Sequence, residues 1–206
     1  MEQKFIKLWN SIGAKNSSKE EFAKLISMYA EPQRQYHTIN HIKKCLDEFD
    51  MVRHLMSNSD AVEFAIWYHD IIYNPKSKEN EEKSAQFAYD TCIKNQISKA
   101  FGEKVKNLIL ATKHNVIPKD IDSKLLLDID LSSLGVSTEE LDENERNIRK
   151  EYYFSSNEVY VKGRGTILRG FLDRESIYLT DFFKDKYEEK ARKNITDSLD
   201  NLINLI

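Results

Sequence analysis

The dipeptide His69-Asp70 closes the apolar run Ala65-Ile66-Trp67-Tyr68. An ionised Asp is costly to bury unless it is paired or bound to a cation. Imidazole beside carboxylate is a donor set that suits first-row divalent metals. Two other parts of the chain offer matching groups. Upstream, His37 and His41 stand four residues apart in Arg34-Gln35-Tyr36-His37-Thr38-Ile39-Asn40-His41, a spacing that shares one face of a helix. Downstream, Asp128 and Asp130 fall in Leu126-Leu127-Asp128-Ile129-Asp130-Leu131. Residues two apart on a helix point to nearly opposite sides, so only one of this pair is expected to touch an ion. Asp130, at the end of the apolar run, is that candidate, and Asp128 is left as a supporting or helix-face residue.

Each cluster has a plainer alternative. His37 and His41 would serve equally as a surface pair beside a loop, and His69 as a buried imidazole held by Asp70 for structural reasons alone. Three such clusters in one chain favour a metal. His41, one turn inside a helix that opens after Pro32, is the better placed to hold it. His37, at the helix mouth, is the better placed to reach a substrate. Successive helical residues diverge by roughly 100°, so His69 and Asp70 can both reach one cation lying off their sector.

The elements that must position these groups read as helices almost throughout. Phe5, Ile6, Leu8, Trp9 and Ile12 form one apolar stripe, the mark of a short first helix. Ser18 with Glu21 reads as a capping box opening a second, which Pro32 stops. A third is expected from about Thr38 to Leu55. The segment from Asp60 to Ile72 is apolar nearly all round, which marks a central helix rather than a surface one. Asn80 is the expected cap of the next, with Glu81 and Glu82 in its first turn, where negative charge suits the dipole. Further helices are expected over about 100–113 and 123–131, then two long ones over 138–163 and 166–178, and a last from about Asp181 to the end.

No segment sustains strand alternation, and no repeat or convincing boundary interrupts the pattern. The expectation is an all-α, single-domain helical bundle over 1–206, with a metal-bearing core at about 34–135 and C-terminal helices at about 138–206 packed on it. Six Gly and three Pro in 206 residues leave little material for tight turns. A net charge of −3 gives no general attraction to nucleic acid polymers or anionic membranes. No apolar run approaches the roughly 20 residues that span a bilayer. The start, Met1-Glu2-Gln3-Lys4-Phe5, lacks the apolar core of a secretory signal. Cys45 and Cys92 fall within helical patterns as buried thiols, so the cytoplasm is the expected compartment.

The order His41, His69-Asp70, Asp130 resembles that of the HD-domain metal-dependent phosphohydrolases, an all-helical family named for its adjacent His-Asp pair. Within it, Tyr36-His37-Thr38-Ile39-Asn40-His41 resembles the segment of cyclic-nucleotide phosphodiesterases in which a first His protonates the leaving group and a second binds metal. Three stretches are similar to a small bacterial group of predicted HD-superfamily phosphohydrolases of undefined substrate. They are Trp67-Tyr68-His69-Asp70-Ile71-Ile72-Tyr73, Asn80-Glu81-Glu82-Lys83-Ser84-Ala85 and Asp128-Ile129-Asp130-Leu131-Ser132-Ser133-Leu134-Gly135. The likeness extends into Gly163-Arg164-Gly165-Thr166-Ile167-Leu168 and Glu189-Lys190-Ala191-Arg192-Lys193-Asn194, and so covers most of the chain.

The resemblance implies one divalent transition metal (Mn, Fe, Co, Ni or Zn) held by His41, His69, Asp70 and Asp130. It implies hydrolysis of a small phosphoester, plausibly a nucleotide, with Asp70 orienting the attacking water and His37 as general acid. His114 matches where some members place an extra His, a candidate for a second metal or for substrate. Arg34, Lys113 and Arg164 are the candidate phosphate-binding cations, with Arg169 a further one; each would serve equally as a surface or ion-pairing residue. Tyr152, Tyr153, Phe154 and Tyr160 are candidates for a base-binding wall, or for ordinary packing. Two other functions share this scaffold: a nucleotide-sensing module without turnover, and a di-iron oxygenase, which needs a fuller second metal set.

Overall fold

The computed structural model describes residues 1–204, and among them it is helical with no strand. The elements are α1 (Glu2–Ser11), α2 (Ser18–Tyr29), α3 (Ile39–Val52), α4 (Ser59–Tyr68), α5 (Asn80–Lys94), α6 (Lys99–Ala111), α7 (Ile121–Asp130), α8 (Thr138–Glu151), α9 (Asn157–Leu172) and α10 (Asp181–Ile203). A 3₁₀ turn extends α3 over Arg53–Leu55, and another follows α7 over Leu131–Leu134. The all-α expectation holds.

Polar side chains at the helix starts explain several of these boundaries. Ser17, Thr38, Asn58, Ser98, Ser137 and Ser156 each accept a backbone N–H of the first turn, a bond that stabilises a helix by about 1 kcal/mol. The cap of α2 is thus Ser17 rather than Ser18. Asn80 does not cap α5. Its amide oxygen accepts from Asn74 N and its amide nitrogen donates to Asn74 O, so it closes the loop before the helix. The long helix expected over 138–163 is two. Arg149 donates to the carbonyls of Tyr152 and Ser155, ending α8, and Ser156 opens α9 two residues before Glu158.

The chain sorts into two compact units, Met1–Ile129 and Asp130–Ile206. In the first, α4 packs against α1, α3, α5 and α6. Every α4 residue from Ala61 to Tyr68 is buried, which is why its sequence carries no polar face. Trp67 sits edge-on to Phe5 and Phe22, and Phe64 stacks on Tyr68. Cys45 and Cys92 are buried thiols that form no disulfide among the described residues. In the second unit, α10 packs against α8, α9 and the Leu131–Leu134 turn. Asn194 donates to the carbonyls of Leu134 and Val136, and Tyr178 to that of Leu131. Gly135 follows this turn because a Cβ there would meet the Tyr187 ring at 2.5 Å. Among the described residues, no helix is long and apolar enough to cross a membrane.

Candidate metal centre

Three helix ends carry the site. Thr38 caps α3, which sets His41 in its first turn. His69 and Asp70 follow directly on α4, and Asp130 is the last residue of α7, a helix whose other residues all belong to the first unit. His41 and His69 are both buried. His69 Nδ1 lies 2.9 Å from the carbonyl oxygen of Ile66. A carbonyl only accepts, so Nδ1 carries a proton, and in the neutral ring the lone pair is left on Nε2. The same bond satisfies one of the orphan carbonyls at the end of α4, and Tyr29 Oη satisfies another by donating to Trp67 O at 3.0 Å.

The Nε2 lone pair of His69 faces two further bases. His41 Nε2 lies 3.3 Å away and Asp70 Oδ2 3.1 Å, while Asp70 Oδ2 is 3.6 Å from His41 Nε2. Electron-rich atoms at these separations repel unless a cation, metal or proton, lies among them. Two nitrogens each about 2.0–2.1 Å from one ion at a tetrahedral angle stand about 3.3 Å apart, so the pair fits a divalent transition ion. His41, His69 and Asp130 each offer a donor atom, and these lie within 4.8 Å of one another. Burial alone would raise the Asp70 pKa, but the His69, His37 and His41 rings beside it outweigh burial and hold its carboxyl well below the usual range.

Arg34 is buried and its guanidinium is spent on the protein. It donates to the carbonyls of His37 (3.0 Å), Asp70 (2.8 Å) and Ile71 (2.9 Å), and to the Glu31 carboxylate (3.1 Å). Arg34 therefore ties the His37 backbone to the Asp70 backbone as a strut rather than offering a phosphate clamp. His37 is half-buried, stacked on Tyr73 with ring centres 4.2 Å apart and met edge-on by Tyr36 at 4.9 Å. Its ring centre is 6.2 Å from that of His41.

The remaining candidates lie in other surroundings. Lys113 pairs with Glu82, which gives both charges a structural partner. His114 adopts a left-handed backbone (φ 54°) after α6 and is not part of the histidine–aspartate trio. Asp128 is fully buried on α7. Arg164, in the second unit, pairs with Glu145. Arg169 lies in the same unit, on α9. Tyr153 and Phe154 are exposed, whereas Tyr160 is buried within the second unit.

Sequence reasoning missed Cys45 as a neighbour of the site. Its Sγ lies 3.7 Å from His41 Nε2, and the signal was there in the four-residue step from His41 on one helix. No protein-family profile, no curated protein and no solved structure matches the chain.

Proposed function

We propose that this protein is a metal-dependent phosphohydrolase acting on a small phosphoester, plausibly a nucleotide. The observation that carries the reading is the convergence of the His41 and His69 Nε2 atoms with the carboxylates of Asp70 and Asp130, with the His69 tautomer set by Ile66. A divalent ion held by these residues would neutralise phosphate charge and lower the pKa of a bound water, to about 7 in the best zinc cases.

The chain's own groups supply the rest. Asp70 stays ionised because its pKa is depressed, so its carboxylate can accept a hydrogen bond from a water and orient that water's lone pair toward phosphorus. His37, half-buried and pinned against Tyr73, can hold a proton on its ring for the leaving oxygen, a contribution of about 10²–10⁴ in rate. Arg34 fixes the spacing between these two residues through their carbonyls. The test is metal analysis of the purified protein, followed by assay on p-nitrophenyl phosphate and bis-p-nitrophenyl phosphate with Mn, Co, Ni and Zn added separately. Bound metal with turnover supports hydrolysis. Metal without turnover on a wider nucleotide panel would favour sensing, and absence of bound metal under all four conditions would overturn the reading.

A further inference from the structure

A cavity of about 420 Å³ opens between α8, α9 and α10 of the second unit, and none of the residues proposed for hydrolysis lines it. Its size falls within the roughly 300–1,000 Å³ of small-molecule sites. One face of α8 brings Arg146, Arg149 and Lys150 to its wall at helical spacing. Asp142 and Glu145 line it too, but the Glu145 charge is spent on Arg164, which leaves the wall net positive.

The polar groups divide into those already held and those left over. The Arg149 guanidinium donates to Tyr152 O, Ser155 O and Asn157 Oδ1 and lies 4.8 Å over the Tyr160 ring. It is a fixed charge that needs no reorganisation. Arg146 is exposed and, among the described residues, makes no ion pair or hydrogen bond. Tyr160 is only 5 % exposed and its hydroxyl is buried without a hydrogen-bond partner. A buried hydroxyl without a partner is uncommon and points to an absent one. Burial pushes the phenol pKa up to about 12, so it remains a donor across the physiological range. Leu202 and the Tyr160 ring, both buried, add apolar surface to the lining.

We infer that this cavity binds a small organic anion, one carboxylate or phosphate on a body of one or two rings, with Arg146 and Tyr160 facing the anion and Leu202 the body. The charge comes from the wall, the apolar requirement from Leu202 and the Tyr160 ring, and the acceptor requirement from Arg146, which can only donate, and from the Tyr160 hydroxyl, which has a proton to donate.

The test titrates the full-length protein with benzoate and phenylphosphonate by calorimetry and ligand-observed NMR, beside benzyl alcohol and inorganic phosphate. Both organic anions are expected to saturate one site, with benzyl alcohol and inorganic phosphate roughly tenfold weaker or worse. Arg146→Glu, on an exposed side chain that folding does not need, should weaken the anions by about tenfold or more. Tyr160→Phe should weaken them several-fold, and Leu202→Trp, which adds bulk to the apolar lining, should abolish binding with an unchanged helical circular dichroism spectrum. Absence of saturable binding by either anion, or affinities unchanged in both Arg146→Glu and Leu202→Trp, would overturn the proposal. Basal phosphohydrolysis is expected to be the same in Arg146→Glu as in the parent, since that residue belongs to no part of the metal centre.

Discussion

Asp70 in the first unit and Glu188 in the second are carboxylates with depressed pKa values, and they are depressed by opposite kinds of surroundings. Glu188 accepts from the backbone N–H of Ile177 and Tyr178, from Ser176 Oγ and from Arg192. Arg192 in turn donates to the carbonyls of Leu172, Arg174 and Glu175. Every charge there has a protein partner, and the network closes the connection between α9 and α10. Asp70 instead faces the ring nitrogens of His69 and His41, which hold its pKa down only when a proton or another cation lies among them. The Glu188 charge is answered by donors of the protein itself, whereas the Asp70 cluster gathers several acceptors in one place, the arrangement on which the proposed metal site rests.

The sharpest way to break this contrast is to remove one acceptor from each. Asp70→Asn is expected to eliminate bound metal and to lower turnover on p-nitrophenyl phosphate by on the order of 10³ or more, about 4 kcal/mol of transition-state stabilisation, while helical content stays the same. Full retention of activity in this variant would remove Asp70 from the mechanism. Chelation is the next largest effect. An ion at about a thousand times its Kd stabilises the folded state by about 4 kcal/mol, and each kcal/mol moves the melting temperature of a chain this size by about 2–4 °C. EDTA is therefore expected to lower the melting point of the parent clearly and that of Asp70→Asn hardly at all.

Glu188→Gln tests the closed side of the comparison. Burial raises this carboxyl, but the bonds from Ile177, Tyr178, Ser176 and Arg192 outweigh it and leave the folded pKa lowered. A group of that kind contributes stability above its unfolded pKa of about 4.3 and loses it as pH falls through the folded value. The substitution is expected to cost about 2 kcal/mol at pH 7 and progressively less in the acid limb, read by urea unfolding at pH 7 and pH 3. It should leave turnover by the metal centre unchanged.

These contrasts explain how far the sequence could be read. Helix periodicity identified α4 as central because Ala61 to Tyr68 carries almost nothing polar. Asp130 was separable from Asp128 because it ends an apolar run. The break between α8 and α9 was not legible, since Tyr152-Tyr153-Phe154 continues a helical apolar pattern. What stops the helix is Arg149 reaching forward to two carbonyls. Arg34 is on sequence grounds a candidate for phosphate or for an ion pair, because its type suits both and it stands three residues before His37. Its real partners, the carbonyls of Asp70 and Ile71, are 36 and 37 residues away, and backbone acceptors leave no trace in a sequence. The pattern shows which residues gather at helix ends, but not which of them are already satisfied there.

The smallest expected effect comes from an acid in the first unit that the chain leaves half-served. Glu63 on α4 is 2 % exposed. Its Oε1 is buried without a hydrogen-bond partner, and so is the Trp67 indole nitrogen one turn along. Burial raises the Glu63 pKa, opposed by the Lys4 and Arg53 charges and by the nearby Trp67 N–H. A raised folded pKa gives stability that is complete below the unfolded value and is lost as pH rises through the folded one, the reverse of Glu188. Glu63→Gln removes the charge while keeping the shape, so it is expected to stabilise the protein by about 1 kcal/mol at pH 8 and to make little difference at pH 4. Urea midpoints of the parent and the variant at these two pH values measure the sign directly. A variant less stable than the parent at pH 8 would mean that Lys4 and Arg53 make this site as self-sufficient as the Glu188 network.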